Sequence, residues 1–175
     1  MGGPGEEVAA PPLTEGSPAG AAPEAANGAP AAGVLATFRV MDLRSVTVDL
    51  PDQYPVVILQ EAEEPLRQLS FAVGMAEGVA MAYALRRVGT PRPLTHELFV
   101  TVLQRLSADI VAVRLIGRAG GTYLAELDLM SQRGREIVPC RPTDGIILAL
   151  RQLVPAPILA DERLLTEAVD VDPLG

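Results

Sequence analysis

The sequence predicts an α+β fold: one compact domain of mixed or antiparallel sheet with about three helices, preceded by a disordered Ala/Pro/Gly-rich tail. Segments with alternating apolar and polar residues follow one another with short turns, which is typical of strands joined as hairpins. Apolar residues recur at helical spacing in three other segments. Hydrophobic residues make up 49% of the chain, which is enough for a sizeable core. Strands mixed with a few helices in this way indicate the α+β class.

The two ends differ in composition from the middle. Residues 1–33 are mostly Ala, Pro and Gly and bury too little apolar surface to fold, so we predict a disordered N-terminal tail. Residues 34–165 are predicted to form the folded domain, and residues 166–175 an acidic C-terminal tail. The net charge of −8 arises at the ends, because acids and arginines balance in the middle. Nonspecific binding of the whole chain to nucleic acid is therefore disfavoured, although a local basic groove remains compatible.

The first half of the domain is predicted to contain strands and then a helix. Alternation near Phe38 and Val40 and again over 46–50 predicts one or two strands that end at Pro51 and Asp52. Two further strands are predicted at 55–59 and 69–73. Residues 75–88 are apolar on almost every side apart from Glu77, which predicts a buried helix.

The second half is predicted to continue with a helix, a hairpin and another helix. Five residues fall on one apolar face at the helical period: Leu98, Phe99, Val102, Leu103 and Leu106. Strands at 110–116 and 122–130 are joined by paired glycines that suit a hairpin. In the second of them, Glu126 and Asp128 are interpreted as a solvated face. A short strand ends at Cys140, a helix runs to Leu153, and Ile158 and Leu159 form a last edge strand.

Two short polar segments precede the second and third helices. The first is Pro91-Arg92-Pro93-Leu94-Thr95-His96-Glu97, and the second is Arg141-Pro142-Thr143-Asp144. Proline fixes the approach of the chain, and Thr95 and Thr143 are positioned to cap the first amides of each helix. An arginine beside a helix N-terminus is a suitable arrangement for binding an anion.

At these segments the sequence resembles the bifunctional nuclease domain family. The matching stretches are 74–77, 91–98, 121–123 and 141–144 with the apolar helix that follows, and the resemblance covers roughly Phe38 to Leu165. It implies a compact α+β domain, often dimeric, with RNase and DNase activity ascribed to some members. The family's usual Asp-Gly-Thr-Phe-Tyr is replaced here by Gly120-Gly121-Thr122-Tyr123-Leu124, which removes a carboxylate.

Candidate catalytic residues are His96, Glu97, Glu77 and Asp144. His96 is the only histidine, and histidine is the side chain that ordinarily titrates near neutral pH, so it is the candidate proton shuttle. Glu77 stands alone on an apolar helix and should have a cationic partner among the arginines of the polar segments. The alternative interpretation is that His96 belongs to a structural network at the start of its helix.

Candidate phosphate- or substrate-binding residues are Arg92 and Arg141, with Thr95 and Thr143 beside them. A guanidinium matches phosphate oxygens in a bidentate way. An internal ion pair between Arg141 and Asp144 is an equal alternative. Together these residues predict a cluster of Glu77, Arg92, His96, Arg141 and Asp144.

Partners and cofactors follow from the resemblance rather than from a local motif. A nuclease implies RNA or DNA as substrate and, in many cases, Mg²⁺ or Mn²⁺ held by carboxylates, of which Glu77, Glu97 and Asp144 are the candidates. The alternative function is a non-catalytic module for dimerisation or for binding a small anion or a partner. A cytoplasmic homodimer or other homo-oligomer is expected, with no membrane association, because no apolar run reaches the length of a membrane span.

Overall fold

The computed structural model describes residues 36–48 and 53–165. The elements in chain order are β1 (Phe38–Thr47), β2 (Val56–Glu61), β3 (Gln68–Ala72), α1 (Met75–Leu85), α2 (Thr95–Arg105), β4 (Asp109–Ala119), β5 (Thr122–Ser131), β6 (Gly134–Cys140), α3 (Pro142–Leu150), β7 (Ile158–Asp161) and a single 3-10 turn at Glu162–Leu164. The predicted tails at 1–33 and 166–175 and the predicted strand end at 51–52 lie outside the described residues. None of the described helices has the length and apolar character that crossing a membrane requires.

The strands form one seven-stranded mixed sheet in the order β3-β2-β1-β7-β4-β5-β6, which confirms the predicted α+β class. All neighbouring strands are antiparallel except β4 and β7, which are parallel. The prediction that Ile158 and Leu159 form an edge strand is wrong, because β7 lies in the middle of the sheet between β1 and β4. Its brevity is typical of an edge strand. However, Ile158, Ala160 and Asp161 are buried, as a central position requires.

The sheet curls so that its first and sixth strands approach each other. Phe71 on β3 and Tyr123 on β5 are separated by four strands in the sheet order, yet their ring centroids lie 5.5 Å apart. Helix α3 packs against α1, α2, β4 and β5. Almost all of its residues are buried, as expected for a helix that is apolar on every side. It ends at Leu150, three residues before the predicted end at Leu153.

Helix α1 is less buried than the sequence predicts, and α2 exposes most of its apolar face. In α1 only Gly78, Met81 and Ala84 are buried, so the prediction of a fully buried helix is wrong. In α2 the buried residues are Val100 and Leu103. The other four members of the predicted apolar face are exposed: Leu98, Phe99, Val102 and Leu106. Helix α2 carries adjacent apolar stripes, and the pattern alone does not indicate which stripe faces α3.

Several buried carboxylates are paired with arginines from neighbouring strands. The interpretation of Asp128 as a solvated residue is wrong, because Asp128 is buried and accepts a 2.8 Å hydrogen bond from Nε of Arg135 on β6. The carboxylate of Glu126, in contrast, is partly exposed and lies 3.5 Å from Arg114. The alternation of side chains along β5 correctly predicts that Asp128 lies on the sheet face opposite Leu127. It does not indicate that Arg135 covers the face on which Asp128 lies.

A buried ion-pair network joins β1 and β2 to the residue before β3 and to the 3-10 turn after β7. Glu61 is only 2% exposed and accepts hydrogen bonds from Nε of Arg39 at 2.7 Å and from Nε of Arg67 at 3.0 Å. Arg67 also donates to Glu162 at 2.8 Å. The hydrogen bonds from Arg67 lower the pKa of Glu61 from 4.5 to about 2, against the opposing effect of burial and with further help from Arg39.

Candidate active site

The second polar segment forms the N-terminus of α3. Arg141 is the N-cap residue in extended conformation, and Pro142 follows at the first helical position, where its missing N–H costs nothing. Gly145 is required by close packing, because a Cβ there would lie 2.5 Å from Cγ2 of Val113 and 3.0 Å from Sγ of Cys140. Through this tight contact the N-terminus of α3 packs against β4 and the end of β6. The packing fixes the positions of Arg141 and Asp144.

The side chain of Arg141 connects α3 to α1. Its Nε and Nη2 donate to the two oxygens of Asp144 at 2.8 and 3.0 Å. Its Nη1 donates to Oε1 of Glu77 at 3.2 Å. The predicted pairing of Glu77 with an arginine of the polar segments and the predicted internal pair of Arg141 with Asp144 are therefore both observed.

Glu77 reaches Arg141 from the first turn of α1. Gly74 is the N-cap residue of this helix, and a Cβ there would lie 2.3 Å from Oε2 of Glu77. The absence of a side chain at Gly74 therefore leaves room for the carboxylate to fold back over the helix start. The spacing Gly74-Met75-Ala76-Glu77, which the sequence shows but does not explain, has this physical reason.

His96 joins the cluster from the first turn of α2. Its Nε2 lies 3.2 Å from Oδ1 of Asp144. Burial opposes ionisation of Asp144, but hydrogen bonds from Arg141 and His96 outweigh burial, so the pKa of Asp144 is below its ordinary value. An ionised carboxylate only accepts hydrogen bonds, so Nε2 of His96 must carry the proton. In the neutral imidazole Nδ1 is then left as a proton acceptor.

These four side chains line a cavity of about 700 Å³ between the three helices and the last strands of the sheet. Its other lining residues are mostly apolar: Ala76, Ala80, Leu94, Thr95, Phe99, Leu127, Val138, Cys140 and Leu148. The side chain of Arg141 is 66% exposed, whereas those of Glu77, His96 and Asp144 are between 20% and 29% exposed. The cavity thus combines an accessible guanidinium with a histidine–carboxylate pair, which suits anion binding and proton transfer.

The structure does not bring every candidate residue to this cluster. Glu97 takes part in a separate network with the hydroxyl of Thr90 at 2.6 Å and Nη1 of Arg151 at 2.9 Å. It also accepts the backbone N–H of Leu94, the N-cap residue of α2, at 3.0 Å. The Thr90 hydrogen bond, assisted by Leu94 and Arg151 against the effect of burial, lowers the pKa of Glu97. Glu97 therefore stabilises the start of α2.

Arg92 and the two threonines are also placed differently from the prediction. The side chain of Arg92 is exposed and makes no ion pair within the described residues. The N-cap positions are Leu94 and Arg141 rather than Thr95 and Thr143, and neither threonine supplies a side-chain cap. Thr95 lines the 700 Å³ cavity, whereas Thr143 is buried beside a second cavity.

The cluster does not fit a preformed Mg²⁺ or Mn²⁺ site. Arg141 already occupies both oxygens of Asp144 and one oxygen of Glu77. Among residues 36–48 and 53–165, no group of three or more His, Cys, Asp or Glu side chains is arranged to hold a metal ion. Two of the carboxylates expected as ligands, Glu77 and Asp144, are thus held by a guanidinium.

A second cavity of about 780 Å³ adjoins the first, and sequence reasoning missed it. Glu77, Cys140 and Arg141 line both cavities. Burial raises the pKa of Cys140 to about 11, so its thiol is protonated at neutral pH. The second cavity also contains Phe71 and Tyr123, and Arg118 on the β4–β5 hairpin. The sequence indicated Glu77, Arg141 and the Gly-Gly hairpin next to Tyr123, but not that Phe71, from a distant strand, joins them.

The fold and the site together define a class: an α+β domain with a histidine, two carboxylates and an arginine grouped at the starts of its three helices. The sequence pattern of the bifunctional nuclease domain matches residues 57–171. The chain is also 35% identical over 134 residues to "Uncharacterized protein MT1877" of Mycobacterium tuberculosis (strain CDC 1551 / Oshkosh), covering 77% of this chain and 76% of that protein. "Uncharacterized protein Rv1829" of strain ATCC 25618 / H37Rv matches to the same extent. The chain belongs to the bifunctional nuclease domain family, whose name suggests a nuclease-like function.

Proposed function

We propose that the protein is a nuclease that hydrolyses phosphodiester bonds of RNA or DNA at the cluster of Glu77, His96, Arg141 and Asp144. The observation that carries this proposal is the contact of the only histidine with Asp144, whose carboxylate Arg141 also holds, in a chain of the bifunctional nuclease domain family. A proton-transfer group and an accessible guanidinium are two elements by which protein side chains promote phosphodiester hydrolysis.

Arg141 is assigned to binding the phosphate group of the substrate. A guanidinium has five N–H donors, and Arg141 uses three of them on Asp144 and Glu77, which leaves two for phosphate oxygens. Asp144 and Glu77 hold the guanidinium plane in one orientation, so little side-chain entropy is lost when a phosphate binds. Arg92, which is exposed and unpaired within the described residues, is assigned to a neighbouring phosphate of the same strand.

His96 is assigned to proton transfer. Nδ1 accepts a proton from the attacking water as the water oxygen bonds to phosphorus. Asp144 stabilises the resulting imidazolium through the Nε2–H bond. Solvent water protonates the leaving oxygen as the P–O bond breaks, and the imidazolium returns its proton to solvent after the product leaves.

A second candidate function, a non-catalytic dimerisation or small-anion- or partner-binding module, is favoured by the exposed apolar side chains of α2. Leu98, Val102 and Leu106 are 54%, 45% and 69% exposed and recur at intervals of four residues on one side of the helix. A contiguous apolar stripe of this kind is typical of an interface between proteins. Homo-oligomerisation through α2 is compatible with catalysis and is proposed here for either function, and a cytoplasmic location is likewise proposed.

Cleavage of defined nucleic acids tests the proposal. Purified protein is incubated with end-labelled single-stranded RNA and duplex DNA in Mg²⁺, Mn²⁺ or EDTA. A triple variant, Glu77→Gln, His96→Asn and Asp144→Asn, is purified identically as a control for contaminating nucleases. We expect cleavage by the wild type and none by the triple variant, and the three buffers determine whether a metal is needed. Equal cleavage by both proteins, or by neither, would contradict the proposal.

A further inference from the structure

We infer that the 780 Å³ cavity next to the cluster binds an unpaired nucleobase of the substrate, so that the preferred substrate is single-stranded. This inference rests on the proposed nuclease function, and it names the substrate class of the same site. It is carried by the aromatic and cationic side chains that three separate strands bring together in this cavity.

The aromatic side chains provide a stacking surface. The chain has only three Phe and three Tyr residues, and two of these six rings, Phe71 and Tyr123, line this cavity. Their centroids lie 5.5 Å apart with the planes inclined at 55°. Both residues are partly exposed, and both line the cavity. Stacking of bases on aromatic side chains is the main attraction by which proteins bind unpaired bases.

Arg118 adds a cationic group to the same surface. Its guanidinium carbon lies 5.2 Å from the centroid of the Tyr123 ring, and its Nε donates to the carbonyl oxygen of Gly121 at 3.2 Å. The hairpin thus holds a guanidinium over the ring at an exposed residue of the cavity lining. Arginine in this position both stacks and attracts a phosphate backbone.

The cavity is continuous with the proposed catalytic cluster. Arg141 and Glu77 line both cavities, so a nucleotide whose phosphate contacts Arg141 has its base beside Phe71 and Tyr123. The volume of about 780 Å³ lies within the range of sites that hold small organic ligands. Most of the other lining is apolar, with Ser70, Thr122 and Thr143 as hydroxyl groups for the edge of a base. A base-paired nucleotide keeps its faces in the duplex stack and cannot enter, which gives the preference for single strands.

Binding of short strands with and without bases tests this inference. Two fluorescein-labelled five-nucleotide DNA strands are compared, one of thymidines and one of abasic sites with the same phosphates. Affinities for the full-length protein are measured by fluorescence anisotropy in EDTA. We expect the thymidine strand to bind at least about tenfold more tightly, since stacking contributes roughly this much or more per base. Equal binding of the two strands, or no binding of either, would overturn the inference.

Variants of the residues that line the cavity test whether the base binds there. Tyr123→Leu removes the ring and keeps an apolar side chain, so we expect it to weaken binding of the thymidine strand about tenfold and to leave the abasic strand unchanged. Tyr123→Phe, the matched control, is expected to bind within about twofold of the wild type because the stacking surface is retained. Should Tyr123→Leu fail to fold, the exposed Arg118→Gln replaces it, with an expected loss of about threefold. Variants that keep the full preference for thymidine would overturn the inference.

Binding and cleavage separate the two proposals. A protein that prefers the thymidine strand but cleaves nothing supports the base-binding cavity and contradicts the nuclease. A protein that cleaves but binds both strands equally contradicts the base-binding cavity and leaves the nuclease intact.

Discussion

Arg141 holds both carboxylate oxygens of Asp144, with Nε–Oδ2 and Nη2–Oδ1 distances of 2.8 and 3.0 Å. The same Oδ1 lies 3.2 Å from Nε2 of His96. Asp144 therefore orients two proposed functional groups at once, the guanidinium that receives the phosphate and the imidazole that transfers the proton. Because one carboxylate orients both groups, replacing it with a neutral side chain of the same shape is expected to impair the function of the cluster.

Asp144→Asn is expected to reduce the cleavage rate by about a hundredfold with little change in folding. The amide keeps the size of the side chain, but it removes the negative charge that stabilises a protonated His96 and the second acceptor for Arg141. Single-turnover cleavage of an end-labelled strand measures the effect. Asp109→Asn serves as the matched control, because Asp109 is exposed at the start of β4. Equal rates for both variants would show that Asp144 plays no part in the reaction.

Gly74 and Gly145 lie at the starts of two helices, and adding a methyl group is expected to have different effects at the two positions. Gly74→Ala places a Cβ 2.3 Å from Oε2 of Glu77, the end of a flexible side chain, so Glu77 moves and its contact with Arg141 is lost. We expect reduced cleavage, with a loss of no more than about 1 kcal/mol in the free energy of unfolding, since alanine is a poorer N-cap residue than glycine. Gly145→Ala places a Cβ 2.5 Å from the buried Val113, which cannot move as easily.

Gly145→Ala is therefore expected to lower the free energy of unfolding by about 2 kcal/mol, through overpacking. Urea denaturation of both variants beside the wild type checks the pair of expectations. A Gly74→Ala protein that loses as much stability as Gly145→Ala would refute the explanation given for the position of Glu77.

Glu61→Gln is expected to lower the free energy of unfolding by about 3 kcal/mol, because it leaves Arg39 and Arg67 without their buried partner. The folded-state pKa of Glu61 is about 2 and its ordinary value is 4.5. The carboxylate's contribution is thus complete above about pH 4.5 and is lost as the pH falls toward 2.

Urea denaturation between pH 7 and pH 2.5 tests this pH dependence. The difference in stability between wild type and Glu61→Gln should shrink steadily below pH 4.5. Glu63→Gln, an exposed neighbour on the same turn, should match the wild type within about 0.5 kcal/mol. A constant difference down to pH 2.5 would mean that Glu61 is not stabilised by these arginines.

The exposed stripe on α2 predicts self-association. Leu98→Gln combined with Val102→Gln is expected to convert an oligomer into a monomer in sedimentation velocity, because both side chains are about half exposed in the single chain. Gln104→Ala is the control, since Gln104 lies on the opposite side of the helix. A wild-type protein that sediments as a monomer at high concentration would contradict the proposed interface.

Sequence patterns predicted those structural features that depend on a few neighbouring residues. The alternation around the Gly120-Gly121 hairpin, the helix after Arg141-Pro142 and the need for a partner at Glu77 each follow from a few neighbouring residues, and each is observed. The central position of β7 depends on pairing with β1 and β4, which lie far away in sequence. Its four residues carry no mark that distinguishes a central strand from an edge strand.

The residues of the site were predictable only in part, because some of its contacts join residues that lie far apart in sequence. His96, Arg141 and Asp144 were identified because they stand beside prolines at helix starts. Glu97 stands there too, but only the folded chain shows that Arg151 and Thr90 bind it away from the cluster. Phe71 and Tyr123 meet because the sheet curls, and no pattern within either strand indicates that curvature.

The most direct test of the central claim is the single-turnover cleavage rate of His96→Asn against wild type on the same end-labelled single strand, with thermal unfolding of both proteins. We predict a rate reduced at least about a hundredfold and a nearly unchanged melting temperature, because His96 is partly exposed and its proposed role is proton transfer. An unchanged rate would contradict the assignment of the cluster as the catalytic site. A large loss of melting temperature would instead indicate that His96 is a structural residue of the helix start.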